Sequence, residues 1–135
     1  VLEPISGMLL LGQKLFEKPG SYNEAWNFGP NISSSIKVKQ LVNKIIKQWK
    51  NPAKWEDLSK KSKNSVHEAN YLRLDSTKVT TRVGWEPVYS IDQVVNETVE
   101  WYWNYLQKKD MVDFTKKQIE KYVEHAKNKQ ISWSY

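Results

Sequence analysis

The chain has 135 residues, 39% hydrophobic and 13% aromatic, which suits one domain with a core and excludes a charge-solvated disordered chain. With no cysteine it excludes disulfides and thiolate chemistry, and its one long apolar run, residues 8–11, falls far short of the roughly 20 residues a membrane span needs. The net charge of +6 comes from 21 basic and 15 acidic residues that are scattered; the densest basic group, Lys60, Lys61 and Lys63, sits in a Ser/Asn-rich stretch without interleaved aromatics and reads as a solvated loop.

A first helix is expected over 4–18. Pro4 suits a first turn, where its missing N–H would have no partner anyway. Ile5, Met8, Leu9, Leu15 and Phe16 supply its apolar face, and Pro19-Gly20 stops it. Gly7 and Gly12 lie inside this helical pattern rather than on a strand-to-helix turn, so they are no dinucleotide fingerprint and instead permit close packing. Residues 24–28 read as a strand broken by Gly29-Pro30-Asn31.

Residues 33–35 are three serines that offer caps for a second helix. Val38, Leu41, Val42, Ile45, Ile46 and Trp49 recur there at helical spacing with lysines opposite, an amphipathic core helix that Asn51-Pro52 ends. Trp55 opens a possible short strand, and 58–66 is polar. Asn70-Tyr71-Leu72-Arg73-Leu74 alternates polar and apolar as a half-buried strand does. Asp75 or Ser76 then caps a short helix, 77–83. Gly84 is its left-handed stop, and Trp85 and Pro87 set an extended exit.

A helix over 90–107 opens with Ser90 and Gln93 as a capping box. Ile91, Val94, Val95, Thr98, Val99, Tyr102 and Leu106 make its buried face, with Trp101, Trp103 and Tyr105 flanking it. A last helix runs from 112 to 127 with Asp110 as cap and Ile119, Tyr122, Val123 and Ala126 as apolar face; Lys127-Asn128-Lys129 is expected to fray. Four main helices with a few short strands make an α+β, mostly α domain.

The stretch 67–87, HEANYLRLDSTKVTTRVGWEP, carries more than local structure. A strand ending in Leu-Asp, then Ser-Thr-Lys, a short helix, Gly-Trp-x-Pro, and a long helix containing Thr-Val-Glu-Trp-Tyr resembles the C-terminal signature of extended short-chain dehydrogenase/reductase enzymes that act on nucleotide sugars. The His-Glu-Ala entry and Val1-Leu2-Glu3-Pro4 narrow the resemblance to the CDP-glucose 4,6-dehydratase branch, with matching segments from residue 1 to about 122.

The resemblance implies a single C-terminal substrate-binding domain over 1–135. NAD would be bound by an N-terminal Rossmann-type domain outside these residues, and the parent enzyme would be a cytoplasmic homo-oligomer. The implied reaction is NAD-dependent conversion of CDP-glucose to CDP-4-keto-6-deoxyglucose. The implied substrate-binding residues are His67, Glu68, Arg73, Trp26 and Asn27. Glu68 stands seven positions before Asp75, the spacing of a ribose-contacting acid in the family. A carboxylate there can accept from both ribose hydroxyls. Read from the residues alone, His67 and Glu68 are a solvated loop pair, and both readings stay open. The family places an arginine near this loop for the pyrophosphate; no Arg lies between 51 and 72, so either Lys63 substitutes as a point charge or an arginine upstream of these residues contributes.

No catalytic residue, cofactor-binding residue or metal ligand is assigned to this chain. Tyr105 and Lys109 match the Tyr-x-x-x-Lys pair of the dehydrogenases, but near the end of the penultimate helix, where the match reads as chance. His67 and His125 make no metal motif. The expected partners are a nucleotide sugar of the CDP-glucose class and the NAD-binding half; a membrane is not expected. A non-catalytic nucleotide-sugar- or partner-binding domain is the alternative, and a basic helical module on nucleic acid is a weaker one.

Overall fold

The computed structural model describes residues 1–31, 34–56, 58 and 74–135. Among them are five α-helices: α1 (Leu2–Glu17), α2 (Val38–Gln48), α3 (Thr77–Val83), α4 (Ile91–Leu106) and α5 (Met111–Asn128), followed by a 3-10 turn, Ser132–Ser134. The molecule is mostly helical, as composition and periodicity predict. Among the described residues no strand forms, which corrects the expected strands at 24–28 and at Trp55.

The reason is visible at 24–28. The Ala25 carbonyl accepts from Lys78 Nζ at 2.9 Å and the Gly29 carbonyl from Ser76 Oγ at 3.4 Å. This segment's carbonyls are satisfied by side chains around α3, not by a neighbouring strand. Trp55 also lies outside any strand, its indole donating to Asn43 Oδ1 on α2 at 3.0 Å. The expected strand 70–74 falls almost wholly outside the described residues.

The caps explain most helix boundaries. Ser90 and Gln93 form the expected capping box, and the Asp110 carboxylate accepts from the Val112 and Asp113 amides at 2.9 and 3.2 Å. Gly84 adopts φ 79°, ψ 18°, the left-handed cap expected of it. α2 starts later than expected, because Gln40 Oε1 reaches back to the Lys37 amide at 2.9 Å and makes Lys37 the cap. The end of α5 does not fray. Gln130 turns left-handed at φ 57°, its amide donating to Lys127 O and that of Ile131 to Ala126 O. This is a Schellman motif, and Ile131, 2% exposed, is the apolar residue that seals it.

Two clusters make the core. One joins Leu10, Val79, Val83 and Trp85, with Phe28 and Trp26 against it. The other joins Val88, Tyr89, Tyr122, Ala126 and Ile131. Trp133 packs on both, so the 3-10 turn ties them together. α2 packs on α4, with Trp49 meeting Trp103 edge to face at 6.1 Å, while Trp101 donates to Thr115 on α5 at 3.0 Å.

Two predicted helix faces need correction. On α1, Gly7 and Leu10 are buried, whereas Ile5, Met8, Leu9 and Phe16 are exposed. A Cβ on Gly7 would stand 2.3 Å from Phe28 Cδ1, so α1 docks through its smallest residue rather than its largest ones. On α4, Val95 and Val99 are buried, but Thr98, Tyr102 and Leu106 are exposed. Trp101 and Trp103 take the covered sides there, one toward α5 and one toward α2. On α5, Tyr122 and Ala126 are buried as expected and Ile119 is exposed.

Candidate functional site

Of the five residues expected at a substrate site, His67, Glu68 and Arg73 lie outside the described residues. Trp26 and Asn27 lie within them. Their segment runs directly against the chain entering α3. A Cβ on Gly29 would meet Leu74 Cβ at 3.2 Å and Ser76 Oγ at 3.0 Å. The Trp26-Asn27 segment and the Leu74–Ser76 end of the signature stretch are therefore neighbours, a juxtaposition that sequence alone does not give.

Asn27 is exposed and Trp26 half-buried. The Trp26 indole donates to Tyr22 O at 3.0 Å, and its ring lies under Lys78 Nζ (4.5 Å) and the Arg82 guanidinium (5.3 Å). Glu24 pairs with both cations at 2.5 Å. The hydrogen bond from Lys78 holds the Glu24 carboxyl below its usual range. Here α3 presents a cation pair beside an aromatic face, with one carboxylate to balance it.

A buried polar network braces this region from below. Glu3 accepts from the Val88 amide (3.0 Å), the Tyr89 amide (2.7 Å) and the Tyr122 hydroxyl (2.9 Å). Ser6 Oγ contacts Tyr122 OH at 3.0 Å, donates to Glu3 O and accepts from the Trp85 indole at 3.0 Å. Burial pushes the Tyr122 hydroxyl above its usual range. The Glu3-Pro4 and Trp85-x-Pro87 motifs, which stand far apart in sequence, thus meet in one place.

A surface pocket of about 270 Å³ between α4 and α5 was not anticipated. Tyr89, Asp92, Gln93, Asn96, Glu97, Lys121 and His125 line it. Its carboxylates are paired: Asp92 with Lys44 of α2 and Glu97 with Lys121, both at 2.5 Å. Burial is the main cause that pushes the Tyr89 phenol up to about 12, and its hydroxyl has no hydrogen-bond partner. These residues come from two helices and a loop at no recognisable spacing, so no motif could have announced them. Tyr105 and Lys109 lie at the α4–α5 turn, where the Tyr105 ring, 57% exposed, stacks on Trp101 at 5.6 Å. Among the described residues no three His, Asp or Glu side chains could hold a metal ion. Nor is any helix among them long and apolar enough to cross a membrane.

No protein-family model matches the chain. It is 32% identical over 123 residues to the CDP-glucose 4,6-dehydratase of Salmonella typhimurium, covering 91% of this chain and 33% of that protein. The chain is thus similar to part of a nucleotide-glucose 4,6-dehydratase. The dTDP-glucose 4,6-dehydratase of Xanthomonas campestris pv. campestris is 26% identical over 88 residues, 62% of this chain and 25% of that protein. The resemblance carried by the 67–87 stretch and the Val1-Leu2-Glu3-Pro4 start therefore holds. The chain spans a third or less of the length of the relatives it matches.

Proposed function

We propose that the chain is the C-terminal, nucleotide-sugar-binding part of a 4,6-dehydratase of the CDP-glucose class. The observation that carries this reading is the identity to the Salmonella typhimurium dehydratase across 91% of the chain. The approach of Gly29, two residues past Asn27, to Leu74 and Ser76 supports it, because two segments expected at the sugar nucleotide then run close together. In this reading Glu68 accepts from the ribose hydroxyls, His67 and Arg73 flank it, and Trp26 and Asn27 form the opposite wall. The parent reaction would be the NAD-dependent conversion of CDP-glucose to CDP-4-keto-6-deoxyglucose.

NAD does not fit the residues described. A pyrophosphate cradle needs glycines on a strand-to-helix turn. Gly7 and Gly12 lie within α1, with Gly7 filled by Phe28, while Gly84 caps α3. In the proposal the cofactor is held by polypeptide beyond these residues, and the chain by itself binds without turnover.

A thermal-shift titration with CDP-, UDP-, dTDP- and GDP-glucose tests the reading. CDP-glucose should raise the melting temperature most, since a ligand that binds only the folded state stabilises it. Equal response to all four, or to none, would remove the assignment.

A further inference from the structure

α1 packs through one side and carries an apolar stripe on the opposite one. At 100° per residue, Glu3, Ser6, Gly7 and Leu10 share the side that packs on Phe28, Trp85 and Tyr122. Val1, Ile5, Met8, Leu9, Gly12 and Phe16 share the other, within a stripe of about 100°. That stripe is open: Met8 is 60% exposed, Leu9 70% and Phe16 89%. A helix needs one such stripe to join a core, and a second one signals a second covering layer.

Gly12 sharpens the point. It sits near the middle of the open stripe, and a Cβ built on it would meet nothing within 4 Å. A glycine inside a helix costs about 1 kcal/mol relative to alanine. Among the described residues nothing packs against it. A notch between Met8 and Phe16 lets another backbone approach closely. A lipid surface has no such need, and a membrane-surface helix would be rich in basic residues, whereas α1 holds one, Lys14, already paired with Glu17.

We infer that this face of α1 is the docking surface for the two thirds of a dehydratase that the chain does not span. The inference rests on the proposed function. Its occupant is argued from coverage: the match takes in 91% of this chain but 33% of the Salmonella typhimurium enzyme, leaving a larger body of polypeptide to be packed against this one. A second copy of the chain is the competing occupant, and the experiment separates the two.

The test is oxidative footprinting of methionine, whose sulfur oxidises according to its exposure. The chain holds two, Met8 in the open stripe and Met111 at the α4–α5 turn, so Met111 serves as the internal control. The chain alone is compared with a chimera in which these residues replace the matched third of the Salmonella typhimurium enzyme. Met8 should oxidise roughly tenfold more slowly in the chimera, with Met111 unchanged. Equal rates at Met8, protection in the chain alone that dilution removes, or a chimera that will not fold around this segment would overturn the inference. As a second measurement, Met8→Glu with Phe16→Glu in the chain alone should leave the melting temperature unchanged; unfolding would show the stripe to be part of its own core. The footprint reads packing, not ligand. Protection at Met8 without any nucleotide-sugar response would sink the substrate reading and leave the docking face standing, and the reverse result would do the opposite.

Discussion

Glu3 does what no apolar residue could at its position. One carboxylate satisfies two backbone amides and a buried phenol, and so fixes the Trp85–Tyr89 loop to α1 and α5. Glu3→Ala would leave those donors unpaired, and an unmet buried donor costs about 1–3 kcal/mol. Chemical unfolding should register a loss at the upper end of that range. Tyr89 is the opposite case, a buried hydroxyl with no partner. Tyr89→Phe should be nearly neutral at pH 7, because no hydrogen bond is lost.

The same residue sets a pH dependence. Its pKa lies at about 12 folded against 10.0 as the reference, so the native state holds the proton more tightly. That contribution is fully present below the unfolded pKa of 10.0 and is lost as pH rises from there through about 12. Melting temperatures across that window should fall, and fall less in Tyr89→Phe. No sequence pattern singles out Tyr89; Tyr122 and His125 close edge-on over its ring, which is tertiary information.

Element boundaries were legible because caps are local chemistry. Ser90 with Gln93, Asp110 and Gly84 each act within a few residues of themselves. Gly84→Ala should cost roughly 1 kcal/mol through backbone strain alone, since the new Cβ would be 3.4 Å from Ser132 Oγ and fits. Gln130→Gly should do the reverse, relieving a left-handed glutamine and raising the melting temperature by a few degrees. Helix faces were less legible. α4 has more apolar residues than one face can hold, and only the positions of α2 and α5 decide which are covered. Tyr102 illustrates this: counted from periodicity it is core, yet it is 54% exposed. Tyr102→Ala should therefore cost less than about 1 kcal/mol, and Trp101→Ala clearly more, because it also breaks the bond to Thr115. The segment 24–28 reads as a strand for a related reason. Period two records which side chains point inward, not which group accepts the backbone hydrogen bonds.

At the scale of the molecule, a mostly helical domain was legible and so was the resemblance, two of whose motifs supply Glu3 and Trp85 to the network with Ser6 and Tyr122. The pocket between α4 and α5 and the open stripe of α1 were not, because both depend on what packs against what. The central claim is that this chain contributes the nucleotide-sugar contacts of a dehydratase. Isothermal titration of the chain and of Glu68→Ala with CDP-glucose addresses it most directly. Saturable one-to-one binding is expected, weakening roughly tenfold in the variant, the size expected for losing a charge-assisted hydrogen bond. Absence of saturable binding, or identical isotherms for the two proteins, would contradict it.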